Sequence, residues 1–149
     1  MIWVRARTMC DSLSDLSLQL ASRAEVTNFM CRWTIRHTLF SKFLQLYLHP
    51  VELDVVLVFL NHRAQRDIKA KQARSYAVDT LVSFLLQIHR IEQAEEIHQL
   101  HEQAVASQGI SGDAMRTIKD RHVLIAACKK AEKGLSVNYE VLRHIHFDV

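Results

Sequence analysis

YAVDTLVSFLLQIHRI, residues 76–91, places apolar side chains at Val78, Leu81, Leu85 and Ile88, with Ala77, Phe84 and Ile91 in a neighbouring row and Val82 and Leu86 in a third. Spacings of three and four put each row along one side of an α-helix, and three adjacent rows cover most of its circumference. A helix so apolar must be surrounded by other helices. The expected fold is therefore all-α, an antiparallel helical bundle or a short α-solenoid-like array of about six helices.

Composition agrees. The 149 residues contain three Gly and one Pro, leaving little material for tight hairpins. A chain of this length buries roughly two-thirds of the surface its unfolded form exposes, enough for a proper core. Expected is a flexible amino end over residues 1–10 and a single helical domain over 11–149. Within it, Leu13, Leu16 and Leu20 mark a short amphipathic helix that Asp11 or Ser12 can cap.

A longer helix is expected over 24–48, with Val26, Phe29, Met30, Trp33, Phe40, Leu44 and Tyr47 in one stripe and Ile35, Leu39, Phe43 and Leu46 in another. His49-Pro50 ends it, because the residue before a proline is pushed out of the α region. Pro50 suits the first position of the next helix, where Glu52 and Asp54 complement the helix dipole. That helix is expected to bury Leu53, Val56, Leu57 and Leu60.

Downstream, 92–106 continues the helical period of 76–91, with Ala94, Ile97, Leu100 and Ala104 facing inward. One unbroken helix over 76–106 would span about 45 Å, wider than such a domain, so a break near residues 89–92 is favoured. Gly109 and Gly112 mark a loop. A helix over 114–133 follows, with Gly134 as its stop. Residues 136–145 form a last helix or an extended tail.

LLQIHRIEQAEEI resembles the helix-turn-helix joint of α-solenoid proteins, and VFLNHR echoes LLQIHR about 27 residues earlier. No third copy appears, so no family is assigned.

The chemistry in the sequence is sparse. There is no glycine-rich phosphate loop, no Gly-flanked serine and no patterned cysteine, so neither an enzyme nor a cofactor is expected. His98 and His101, with Glu95 and Glu102 nearby, can hold a metal only if a second helix supplies another ligand, and a solvated polar face is the simpler expectation. His144, His146 and Asp148 share a face only in an extended tail.

The one local charge shift is NHRAQRDIKAKQAR, residues 61–74, with six cations counting His62 against one acid. It reads as a turn or exposed helical stretch, and Arg63, Arg66, Lys69, Lys71 and Arg74 are the candidate contacts for an acidic protein partner or for nucleic acid. The formal charge of +3 permits the latter without demanding it.

Cys10, Cys31 and Cys128, odd in number and widely spaced, fit reduced thiols in the cytoplasm or nucleus. No apolar run reaches the roughly 20 residues that span a bilayer. The expected function is a non-enzymatic protein-interaction or assembly subunit, through a protein partner or self-association, with a nucleic-acid-associated factor as the alternative. Surplus apolar surface on 51–60 and 76–91 is the expected docking face.

Overall fold

The computed structural model describes residues 2–109 and 112–145, without the side chains of 136–145. Among them are seven helices and no strand: α1 (Ile2–Asp11), α2 (Leu16–Arg36), α3 (Phe40–Leu44), α4 (Pro50–Lys69), α5 (Tyr76–Gln87), α6 (Ile91–Val105) and α7 (Gly112–Ile145). The fold is all-α. The chain divides into two compact units, Met1–Arg63 and Ala64–Val149, and the division falls within α4. No helix among the described residues is long and apolar enough to cross a membrane.

In the first unit α1 packs on α2, and α2 on α3. The amino end, expected to be flexible, is helical. Trp3 and Cys10, two turns apart on α1, are both buried, and the Trp3 ring meets Phe43 edge-on at 5.3 Å. Arg7 lies over the Trp3 ring, 5.2 Å from its centroid. Two buried anchors on so short a helix are too few to show a period in the sequence.

Capping side chains set the helix starts. Asp15, not Asp11 or Ser12, begins α2, its Oδ1 accepting the N–H groups of Ser17 and Leu18. The Leu18 and Ser17 hydrogen bonds hold its carboxyl below the usual range. Pro50 begins α4 as its sequence predicts, and Glu52 reaches back to accept the His49 N–H at 2.8 Å.

Three helices end in one way. Leu39 N–H bonds to Thr34 O and Thr38 N–H to Ile35 O; Gln72 and Lys71 bond to Asp67 and Ile68, and Arg90 and His89 to Leu85 and Leu86, in the same pattern. The residue that turns left-handed is Thr38, Lys71 or His89, with φ of 56°, 51° and 59°, where glycine is usual. The first of these turns splits the expected helix over 24–48. It breaks the 3.6-residue phase, so Phe40 and Phe43 are buried whereas Phe29, Leu46 and Tyr47 are exposed. The third makes the expected break between α5 and α6.

On α4 the buried row is Glu52, Val56, Leu60, Ala64 and Ile68, each four residues from the last. The helix thus runs through most of the basic stretch and buries Ala64 and Ile68 there, where no core-facing stripe was expected. At the head of the row the Glu52 carboxylate is fully buried. Arg7 of α1 grips it through Nε, at 2.8 Å, and Nη2, and Arg23 of α2 donates from Nη1 at 2.8 Å. Arg7 also donates to Tyr47 O, and Arg23 pairs with Asp11. One carboxylate therefore ties α1 and α2 to α4.

In the second unit α5 packs against α6, and α7 against both. Ala77, Val78, Leu81, Val82, Phe84 and Leu85 are all buried, as the apolar rows of α5 require. Ser75 caps that helix, accepting the Val78 N–H and donating to Asp67 Oδ2 at 2.7 Å. Gly134 does not stop α7, which continues to Ile145. No glycine adopts a positive φ among the described residues, so Gly134 is simply tolerated in the helix. Residues 146–149, including His146 and Asp148 of the tail reading, lie outside the described residues.

Three outcomes are expected. Burial raises the Glu52 carboxyl, but the Arg7, His49 and Arg23 hydrogen bonds outweigh it and hold it below the ordinary value. Its stabilisation is thus complete above the unfolded value of about 4.3 and is lost as pH falls through the lower folded value. Urea melts followed from pH 7 to pH 3 should show Glu52→Gln flattening that loss, and Glu52→Ala costing about 3 kcal/mol at pH 7 by stranding two arginines. Thr38→Gly relieves a β-branched residue of left-handed strain and should raise the unfolding free energy by about 0.5–1 kcal/mol in the same melts.

Candidate functional site

Of the predicted basic contacts, Arg66, Lys69, Lys71 and Arg74 are exposed, on the last turn of α4 and the connection that follows it. Arg63 is half-buried, its guanidinium over the Phe59 ring at 5.8 Å. Arg66 lies 3.6 Å from Asp67. Four solvated cations on a helix end and its turn form a charged edge.

The chemistry of the second unit lies elsewhere, on α6 and α7. Buried residues of α6 follow a three-four spacing, Ile91, Ala94, His98, His101 and Val105, and on α7 Ala114, Ile118, Arg121 and Ile125 do the same. The histidines expected on a solvated face are therefore in the core, 2% and 1% exposed, whereas Leu100, expected inside, is exposed. The signal was present in the sequence: His98 and His101 continue the row that begins at Ile91 and Ala94.

The structure sends the two histidines to different neighbours. His101 Nε2 is 2.8 Å from Gln72 O, which can only accept, and Nδ1 is 2.7 Å from Arg121 Nη2, which can only donate. His101 must then be neutral with its proton on Nε2. Arg121 Nη1 donates to Asp79 Oδ1 at 3.0 Å, completing a chain from the α4–α5 connection through α6 and α7 to α5. Burial lowers the His101 imidazole and the Arg121 guanidinium and raises the Asp79 carboxyl, the last in spite of its arginine partner. The three side chains partner one another and serve as structural fasteners, with Arg121 Nε left without a hydrogen-bond partner.

His98 has no such partners. Neither ring nitrogen makes a hydrogen bond, and Nε2 lies 4.0 Å from Glu102 Oε2. It borders a cleft of about 160 Å³ between α6 and α7, lined also by Glu95, Glu102, His122 and Lys129. The His98 and His122 rings are 5.7 Å apart between centroids. Lys129 pairs with Glu95 across the same cleft.

Comparison with family models, with curated proteins and with solved structures returns no match. What the chain does must be argued from its own side chains.

Because burial depresses both His98 and His101, the unfolded chain takes up protons below about pH 6.5 that the folded chain refuses, and stability falls as pH drops from there. His101→Ala should cost about 2–4 kcal/mol at pH 7, since it empties a core position and strips a partner from Arg121 and from Gln72 O. His101→Gln should lessen the slope between pH 7 and pH 5. Thermal melts by circular dichroism at several pH values check both.

Proposed function

We propose that this chain is a non-enzymatic interaction or assembly subunit that docks through the apolar surface of its first unit. The observation behind this reading is how much of that unit's apolar side-chain surface is uncovered. Ile2, Leu16, Phe29 and Tyr47 are 70%, 68%, 61% and 84% exposed, and Val4, Met9 and Leu18 are exposed as well. Single exposed apolar residues are ordinary, whereas so many on a unit of 63 residues are unusual for a surface that stays in water. Leu18 and Phe29, eleven residues apart on α2, fall on one side of the helix. These exposed residues support a docking surface on α1, α2 and the α3–α4 connection. The apolar residues of 76–91 were expected to supply it, but on α5 they are mostly buried, and on α4 Val58 alone is strongly exposed.

The partner is a protein with an apolar helical face, or a second copy of the chain. Free thiols at Cys10, Cys31 and Cys128, the first two buried, support a reducing compartment, cytoplasm or nucleus. The exposed charge of Arg66, Lys69, Lys71 and Arg74 favours a second reading, association with nucleic acid.

Light scattering behind size exclusion, with absorbance at 260 and 280 nm, tests the reading. The expected result is a dimer or larger species, or a stable complex with a helical partner, that Leu18→Glu with Phe29→Glu dissociates at unchanged helix content. A monodisperse monomer that binds no exogenous hydrophobic dye overturns it. Co-purified nucleic acid, lost on changing Arg66, Lys69 and Lys71 to Glu, would establish the second reading instead.

A further inference from the structure

The outward stripe of α2 narrows the choice of partner, an inference that rests on the docking reading above. Leu18, Ser22, Glu25, Phe29, Arg32 and Arg36 recur at spacings of three and four, so they share one side of that helix. The buried Thr27, Met30, Cys31 and Thr34 lie on the other side. Leu18 and Phe29 are 56% and 61% exposed, Glu25, Arg32 and Arg36 are exposed, and Ser22 is half-buried.

Charge is ordered along this stripe. Asp15 caps the amino end of α2 and is exposed, whereas Arg32 and Arg36 lie near the carboxyl end. The Leu18 and Ser17 hydrogen bonds that hold the Asp15 carboxyl low keep it ionised at neutral pH. A helix polarised in this way complements its own copy laid antiparallel.

Turned about a twofold axis between residues 23 and 24, α2 sets Asp15 against Arg32 of the copy, Leu18 against Phe29, and Ser22 against Glu25. Symmetry repeats each contact on the far side of the axis. All three are complementary: an ion pair, an apolar pair, and a hydroxyl that can donate to a carboxylate. Ala21 and Ser22, both small, lie beside the axis and allow close approach of the backbones. Sliding the copy by two turns would face Leu18 with Arg36 and Glu25 with Phe29. A parallel pair would bring each arginine to its like and align the two helix dipoles in the same sense. Self-complementarity of this kind points to a second copy of the chain, because a foreign helix does not require it.

We propose that the chain forms an antiparallel homodimer through the outer face of α2, with Leu18 of each copy packed on Phe29 of the other and Asp15 paired with Arg32. Two helices meeting along one stripe make an interface at the small end of the specific range, so the dimer dissociates on dilution.

Light scattering of the full chain behind size exclusion, loaded at about 10–500 µM, tests the pairing. The unaltered chain should pass from monomer to dimer across that range. Leu18→Glu and Phe29→Lys, both at exposed positions, should each weaken self-association at least about tenfold at unchanged helix content by circular dichroism. Arg32→Glu should weaken it by about threefold or more. Mixed in equal amounts, the Leu18→Glu and Phe29→Lys chains should regain a dimer, since the new carboxylate of one then faces the new ammonium of the other while native Leu18 and Phe29 meet at the second contact. A mixture that stays monomeric, or single variants that dimerise as the unaltered chain does, overturns the proposal. An unaltered chain that is monomeric at every concentration overturns it too. If that monomer binds a hydrophobic dye, and Leu18→Glu with Phe29→Glu abolishes the binding, the broader docking reading stands with a foreign helix as the occupant.

Discussion

A charged or hydrogen-bonding side chain set into the buried row of a helix must be met by its complement from another helix, because burial without a partner costs more than most single contacts contribute. Both units of this protein are arranged around that constraint. Glu52 heads the inner row of α4, and only the convergence of Arg7 and Arg23 makes its burial tolerable. Arg121 sits in the inner row of α7, where Asp79 and His101 receive it. Each polar set selects one packing of its helices, since any other leaves a charge in the core. Apolar rows alone would tolerate sliding or rotation.

The two sets differ in electrostatic character. Around Glu52 two cations face one anion, and its carboxyl is pulled toward the ionised form. Around Arg121 burial wins, and Asp79 and Arg121 are each displaced toward neutrality. The second set therefore contributes more to the choice of packing than to its depth, a division commonly found for buried ion pairs.

Fold class was legible because α5 is apolar on nearly all sides and the chain lacks turn formers. The Pro50 boundary was legible because proline acts on local sterics alone. Helix ends at Thr38 and Lys71 were not, since the left-handed residue was not glycine and nothing else in the local sequence announces the turn. The α1 helix rests on contacts from Phe43 and Glu52, both distant in sequence. Of the candidate site residues, the exposed cations could be read from composition. The inward direction of His98, His101 and Arg121 was encoded in the three-four spacing of their rows, but a rule that assigns polar residues to the outside conceals it. Glu52 was hidden in the same way, its place in a four-residue row being masked by its equally good fit to the first turn of a helix.

Trp3, in contact with Phe43 and Arg7, has one further consequence. The only other tryptophan, Trp33, stands beside His37 in the same unit, so all indole emission originates in residues 1–63. Far-ultraviolet ellipticity, by contrast, is weighted toward the longer second unit with its α5, α6 and α7. The protein thus carries an intrinsic two-channel reporter: fluorescence observes one half while the backbone signal observes the whole. Overlay of the two curves distinguishes a molecule that melts as one cooperative body from one whose halves come apart in turn.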